Sequence, residues 1–468
     1  MASRRDQLHS YQFMVQRVVS ALVFRKTDPD QSPFRRAGGA VFASVMVAVL
    51  ALAVTGIIGF IADGVNNDIA EGNAIILEKE TGSRFVYIDG TLHPVINFAS
   101  GALIVNSTNT MSRSRSSLAE LPRGAPVGIP NAPDSIPDRG RLLDGDWALC
   151  ARPGKSATNA EEINSVLFVG AQPAQGHELG PDEGVIAVLD KGEEPDERFL
   201  IANQHRFPIA DPSLVIAIGG SDTDQSRSLT TEAAFLNSLP LGQPITLPSV
   251  PDIGADSAIS GTKVGKIFGE PSGRRFVALK DGWTEVTRLQ AVLIQSVTKD
   301  SSVTEVPSPA SIGTASATPL FEQSEPGAPV MSAVPTILPL APNGSTCATF
   351  ANQSDAPRVL IDATVPESGG MKTSDTSTAT GADLVDEVII APGHAALVES
   401  MTGTEGSGTV GFVNDWGVFY PFTSRSLINA FGYQDSDIIK LPSLLTSRLP
   451  VGPDLDPVAA KQNAIKSQ

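Results

Sequence analysis

The chain has 468 residues, and 34 Lys and Arg stand against 51 Asp and Glu, a net charge of −17. That balance excludes the basic face a nucleic-acid partner requires, and two cysteines exclude both a disulfide-dense scaffold and a four-cysteine zinc site. With 42 Gly and 35 Pro, the composition argues against a helical bundle and for short strands joined by many turns.

Residues 1–36 form a basic foot. Seven basic groups (Arg4, Arg5, Arg17, Arg25, Lys26, Arg35, Arg36) oppose Asp6, Asp28 and Asp30, a net +4. Tyr11, Met14, Val15, Val18 and Leu22 recur at helical spacing and predict an amphipathic helix. Such a helix lies on the inner leaflet or docks a cytoplasmic partner, and the sequence leaves both open. Residues 37–62 follow, 26 positions without a charge, long enough at about 1.5 Å per residue to span a hydrocarbon core of roughly 30 Å. Asp63, Asp68 and Glu71 open the far side. The excess of Lys and Arg before the span puts the N-terminus in the cytoplasm. The remainder, net −21, is then extracytoplasmic. Cys150 and Cys347 both fall in that oxidising compartment and predict one disulfide closing a loop of nearly 200 residues.

The body repeats itself. Leu121–Pro133 (LPRGAPVGIPNAP) and Leu239–Pro251 (LPLGQPITLPSVP) share six of thirteen residues at a spacing of 118, and Leu449–Pro453 (LPVGP) is a shorter version. Before each lies a strand, a tight turn and a second strand that ends in an aromatic or apolar group and Pro: Phe85–Val95 with Asp89–Gly90 and Pro94, Arg198–Ile209, and Val410–Phe422 with Gly417 and Pro421. The pre-Pro residue precedes the Leu-Pro pair by 28 (His93 to Leu121), 32 (Phe207 to Leu239) and 29 (Tyr420 to Leu449) residues, with a short helical stretch such as Ser426–Phe431 between. Arg275–Val286, with Asp281–Gly282, begins a degenerate copy whose tail is expected near Val306–Pro309. The expected divisions are repeats at 73–133, 196–252, 262–312 (degenerate) and 408–457. Between them, 143–195 and 335–405 read as two parts of a central β domain, with strands at Trp147–Cys150, Ser165–Val169, Val185–Leu189, Arg358–Ala363 and Val388–Ile390. The repeats then flank that domain as pairs before and after it. Residues 300–334 and 366–382, rich in Ser, Thr, Gly and Pro, read as flexible loops.

A catalytic constellation does not emerge, and neither a metal nor a cofactor is expected. His9, His93, His177, His205 and His394 match no zinc spacing. Gly406, Gly408 and Gly411 fit G-x-G-x-x-G but precede a strand-like run, not a helix. Around Lys266, Ser260 and Ile267 replace residues a phosphate loop requires. Asp222 and Asp224 begin like a calcium loop, but Arg227 stands where Gly is needed.

Taken together, Gln12–Arg17 with Ala21–Arg25, Phe85–Asn97, Leu121–Pro133, Trp147–Cys150, Thr346–Cys347, Asn414–Pro421 and Leu449–Pro453 resemble EccB, a membrane component of the type VII (ESX) secretion system of mycobacteria and related actinobacteria. The resemblance implies an α+β, mostly β fold: one N-terminal transmembrane helix, then an elongated periplasmic domain of four short repeats around a central β-rich domain closed by the Cys150–Cys347 disulfide. It implies a structural inner-membrane subunit that assembles in the periplasm and docks to the motor complex. Its partners would be the FtsK-like motor ATPase EccC, multispanning EccD, EccE, the mycosin protease and other EccB copies. The motif residues carried over are Asp89, Gly90, Pro94, Leu121, Pro122, Leu239, Pro240, Gly417, Pro421, Leu449 and Pro450. Some relatives are labelled ATPases; this chain has no Walker motif. The rival readings are a cell-wall-binding envelope module and an ATP hydrolase.

Overall fold

The computed structural model describes residues 3–25, 33–63, 69, 72–155, 161–189, 196–220, 228–318, 320, 324–352, 356–373, 377, 381, 383–402 and 408–464. Lys26, Asp28, Asp30, Asp68, Glu71, Asp222, Asp224, Arg227 and Gly406 lie outside them. The chain divides into one unit of Met1–Gly72 with Ser116–Glu120 and a second of Asn73–Arg115 with Leu121–Gln468.

In the first unit, Arg4–Phe24 is a helix started by a reciprocal cap. Ser3 Oγ accepts from the Arg5 amide and Asp6 Oδ2 from the Ser3 amide, which satisfies donors the first turn cannot use. Tyr11, Met14, Val15, Val18 and Leu22 are all exposed along it. Pro33–Asp63 is a second helix, and its stretch Gly38–Gly56 is long and apolar enough to cross a membrane.

Among the described residues the second unit contains four small sheets built on one four-strand design, to which repeat 2 adds Thr336–Ile337 as a fifth strand. In repeat 1 the strands Ile75–Glu78, Arg84–Ile88, Thr91–Pro94 and Thr110–Arg113 lie in the order third, second, first, fourth. The first is antiparallel to the second and parallel to the fourth. A parallel return needs a crossover, and the helix Phe98–Val105 supplies it. Repeat 2 builds the same order from Glu183–Leu189, Glu197–Ala202, His205–Ile209 and Ser228–Thr231. Repeat 3 uses Ile267–Gly269, Arg275–Ala278, Trp283–Val286 and Val303–Glu305, crossing over through the helix Arg288–Thr298. Repeat 4 uses Ala396–Met401, Thr409–Val413, Phe419–Pro421 and Ile439–Pro442, with the tight helical turns of Arg425–Phe431 between.

A seven-stranded sheet occupies the middle, in the order Met371–Lys372, Glu387–Ile389, Glu161–Phe168, Trp147–Lys155, Ser345–Phe350, Arg358–Ala363, His177–Glu178. Three apolar clusters join the parts. One runs from Trp147, Leu149 and Leu167 to Phe235 and Leu239 of repeat 2 and Phe419 and Leu449 of repeat 4. A second joins Ala99, Leu103 and Ile129 of repeat 1 to Phe412, Phe422 and Leu455 of repeat 4. The third joins Phe207 and Ile245 of repeat 2 to Leu289 and Leu293 of repeat 3. Each buried Leu or Phe contributes roughly 1.5–3 kcal/mol. The C-terminal segment also ties to repeat 1, where the Ala464 amide donates to Pro126 O at 2.9 Å.

The structure departs from the sequence reading in four places. Val185–Leu189, expected in the central domain, is part of the inner strand of repeat 2, and Ala396–Met401, expected within 335–405, is the inner strand of repeat 4. These strands sit between two neighbours and carry no turn motif, so the hairpins alone marked repeats 2 and 4 and placed the starts of those two too late. The third tail lies at Thr314–Ser316, not Val306–Pro309, and Val303–Glu305 and Met371–Lys372 are strands inside the two expected loops. Finally, the repeats pair first with fourth and second with third, not in chain order.

Candidate functional site

Asp89 and Gly90 occupy φ values of 49° and 82°, and Asn203 and Gln204 take 48° and 65° at the matching turn of repeat 2. Both central residues being left-handed is the two-residue turn whose twist suits a hairpin. In repeat 4 the turn is longer: Asn414 Oδ1 accepts from the Trp416 amide at 3.2 Å and the Val418 amide at 3.0 Å, with Gly417 at φ 75°.

The hairpin's second strand, the third strand of each sheet, then receives the Leu-Pro tail as an added parallel strand. The Pro122, Pro240 and Pro450 carbonyls accept from the amides of Leu92 (2.8 Å), Arg206 (2.9 Å) and Phe419 (2.9 Å). The amides of Gly124 (3.0 Å), Gly242 (2.8 Å) and Gly452 (2.8 Å) donate back to the same three residues. Further on, the Pro94, Pro208 and Pro421 carbonyls accept from Val127 (2.9 Å), Ile245 (2.7 Å) and Leu455 (2.7 Å). Proline offers no N–H but keeps its carbonyl, so it can stand in an edge strand and still accept from the tail. Leu239 and Leu449 are buried in the central core, while Leu121 is half-buried. Repeat 3 keeps this geometry without the motif: Trp283 N donates to Thr314 O at 3.0 Å and Ser316 N to Trp283 O at 2.7 Å.

The motif glycine has a steric cause. A Cβ on Gly124 would collide with the His93 ring, on Gly242 with the Phe207 ring, and on Gly452 with the Tyr420 ring. The pre-Pro residue therefore lays its ring on the tail glycine in three repeats. His93 also places Nδ1 2.9 Å from Ala125 O, so it is a packing residue. Both members of this contact are visible in the sequence as separate positions; their touching is not.

Cys150 and Cys347 are register partners on adjacent antiparallel strands, and they form a disulfide with Cα atoms 4.0 Å apart. Both are fully buried, among Val166, Phe168, Ala363 and Val365. The sequence separation of 197 encloses all of repeats 2 and 3. Chain entropy sets the stabilisation from closing such a loop at up to about 5 kcal/mol. On the same sheet Arg152 Nη2 meets Glu387 Oε2 at 2.8 Å, a largely buried ion pair.

Lys266 leads into the strand Ile267–Gly269, where a phosphate loop leads into a helix. Its amine is held by Asp300 Oδ2 at 2.9 Å and by Ser302 Oγ. Hydrogen bonds from Ser302, then from Lys266, hold the Asp300 carboxyl well below the usual carboxylate range. Among the described residues no three His, Cys, Asp or Glu side chains gather into a metal site. Burial first, then the charge of Asp386, pushes the Glu232 carboxyl up to about 7, and sequence reasoning missed this group because it belongs to no motif.

These features define a class: a membrane-anchored chain with a large β body of four tail-zipped repeat sheets set around a disulfide-closed central sheet. The chain belongs to the EccB family, described as "Type VII secretion system ESX-1, transport TM domain B", which matches residues 1–465. EccB is a component of a type VII secretion inner membrane complex. The chain is 26% identical over 465 residues to "ESX-3 secretion system ATPase EccB3" of Mycolicibacterium smegmatis, covering 96% of this chain and 86% of that protein. It is 25% identical to "ESX-5 secretion system ATPase EccB5" of Mycobacterium tuberculosis H37Rv, covering 97% and 92%. The match to EccB3 of the same strain, at 25% identity, covers 62% of this chain and 56% of that one. The fold matches a chain of an intact ESX-5 inner membrane complex with a TM-score of 0.61 at 21% identity, covering 100% and 96%. It also matches an EccB3 dimer from the ESX-3 core complex with a TM-score of 0.60 at 24% identity, covering 83% and 100%.

Proposed function

We propose that this chain is a non-catalytic scaffold of a type VII secretion complex. Its foot is cytoplasmic and docks the motor ATPase EccC, and its body is periplasmic and contacts other EccB copies, with EccD, EccE and the mycosin protease as neighbours. The observation that carries this reading is that the motif residues hold the repeats together: their carbonyls, amides and ring-covered glycines are all used within each sheet. The exposed apolar face of Arg4–Phe24 supports a docking role for the foot, and the basic flank at 1–36 supports a cytoplasmic N-terminus. The division into a foot at 1–36, a span at 37–62 and a repeat body belongs to the same proposal. Affinity capture of the detergent-solubilised chain tests it: recovery with the motor ATPase is expected, lost on deletion of residues 4–24, whereas recovery as a lone monomer refutes it.

The cell-wall reading draws on Trp416, 69% exposed at a fixed turn. Retention of the full chain on purified cell wall, abolished by Trp416→Ala, would favour it. Some relatives carry the name ATPase. ATP hydrolysis by purified protein that stops on Lys266→Ala would overturn the non-catalytic reading.

A further inference from the structure

Residues 364–370 cross the central sheet from one side to the other. They leave the strand Arg358–Ala363 and join the edge strand Met371–Lys372, and those two strands are five places apart in the sheet. At about 4.8 Å per strand that is a distance of roughly 24 Å. The eight backbone links from Ala363 to Met371 reach at most about 26–29 Å, so the segment runs nearly straight with little slack. Its side of the sheet is the one that carries the disulfide. Glu387, Val166, Cys150, Cys347 and Leu360 are register partners in one row across five strands, and paired residues share a face. Arg152 lies two residues from Cys150 and so on that same face. Three contacts fasten the crossing there. Val365 is buried in the apolar cluster that holds both cysteines. Arg152 Nη1 donates to Pro366 O, while its Nη2 holds Glu387 Oε2 at 2.8 Å. The Gly370 amide donates to Glu387 Oε1 at 2.9 Å. Between these points Glu367, Ser368 and Gly369 are exposed.

We infer that residues 364–370 are a strap that gates thiol–disulfide exchange at Cys150–Cys347. With the strap fastened, both cysteines are fully buried and an external thiolate does not reach either sulfur. The strap is the weakest part of this face, since residues 367–369 are exposed while the strands beneath are buried on both faces. Its release uncovers a flank of the cysteine pair and leaves the strands paired. The thiolate of an external dithiol then attacks one cysteine sulfur, the Cys150–Cys347 bond breaks, and a mixed disulfide forms. The second thiol of the reagent displaces that cysteine and closes the reagent into a cyclic disulfide. The dithiol is oxidised, the bridge is reduced, and the two protons of the dithiol end on Cys150 and Cys347. Exchange in the opposite direction forms the bridge by the same approach, so the strap closes after the cysteines are oxidised.

Two variants loosen the strap by different means. In Gly370→Ala the new Cβ collides with the Glu387 side chain, which drives the strap off its pin. A Gly-Gly insertion after Ser368 adds slack at exposed positions and touches none of the three contacts. The full chain in detergent is treated with dithiothreitol in native buffer, and the freed thiols are alkylated and read on non-reducing gels. Hydrogen exchange on the oxidised protein, before reductant is added, reads the strap at the amides of Gly370 and of Thr373, which donates to Asp386 O at 3.0 Å. The wild type should resist, and both variants should be reduced without denaturant, faster by about tenfold or more, the effect of losing a hydrogen bond to a charged group. The strap amides should exchange faster by a similar factor, while the amides of Trp147–Lys155 and Ser345–Phe350 keep their protection. Variants as resistant to reductant as the wild type, or strand amides that open as readily as those of the strap, would overturn the inference.

Discussion

Gly242→Ala isolates the contact between a tail and its hairpin. The backbone at Gly242 is not left-handed, so alanine meets no conformational strain there. Shortening the unfolded ensemble should even stabilise the variant by about 0.4–1 kcal/mol. Against that, the new methyl collides with the Phe207 ring, which is 1% exposed within the core that joins repeats 2 and 3. A ring so placed cannot swing aside, and overpacking of this kind costs about 1–3 kcal/mol. The net expectation is destabilisation by roughly 1–2 kcal/mol, a factor of about 5–30 in the local folding constant. Gly124→Ala is the internal comparison: His93 is only half-buried and its ring can turn, so the cost should fall near zero. Native-state hydrogen exchange at Arg206 and Gly242, whose amides make the tail bonds, measures both. Adding Phe207→Leu to Gly242→Ala removes the collision, so the two changes should be strongly non-additive. Equal costs for the two glycines, or simple additivity in the double variant, would refute the ring-on-glycine argument.

Three further outcomes follow from the central sheet and repeat 4. Cys150→Ser should lower stability by up to about 5 kcal/mol. The wild-type disulfide, fully buried, should resist reductant until denaturant is added, as non-reducing gels would reveal. Arg152→Ala leaves the Glu387 carboxylate buried without its cation, and about 3–5 kcal/mol of destabilisation is expected in chemical denaturation. Gly417→Ala meets both a left-handed backbone (φ 75°) and the Val388 side chain, so a loss of at least about 1 kcal/mol should appear by thermal melting, with the Trp416 emission reporting the displaced turn.

The repeat hairpins were legible because turn chemistry is local: Asp89–Gly90 needs no tertiary partner to declare itself. The cysteine pair was legible because two thiols admit one intramolecular bridge. Which sheet the inner strands Glu183–Leu189 and Ala396–Met401 join was not, since an apolar run between two neighbours has no period of its own and fits either sheet. The tail at Thr314–Ser316 escaped because it makes its bonds through the backbone, which any residue can supply. The Leu-Pro motif marks tails whose glycine must also lie under a ring. Where Trp283 instead turns its indole N–H to Gly313 O, that demand is absent and so is the motif.

Repeat order in the chain and repeat order in space differ for one topological reason. The central sheet is interrupted between His177–Glu178 and Ser345–Phe350, and repeats 2 and 3 are the interruption. The two inserted repeats follow each other directly in the chain and share a core, while repeat 2 also packs on the central sheet and repeat 4. Repeats 1 and 4, left outside, meet each other, and the C-terminal segment returns to the repeat 1 tail to close that pair. The disulfide joins two adjacent strands of the central sheet itself, Trp147–Lys155 and Ser345–Phe350. It therefore fixes the central sheet independently of how firmly the inserted arm is seated.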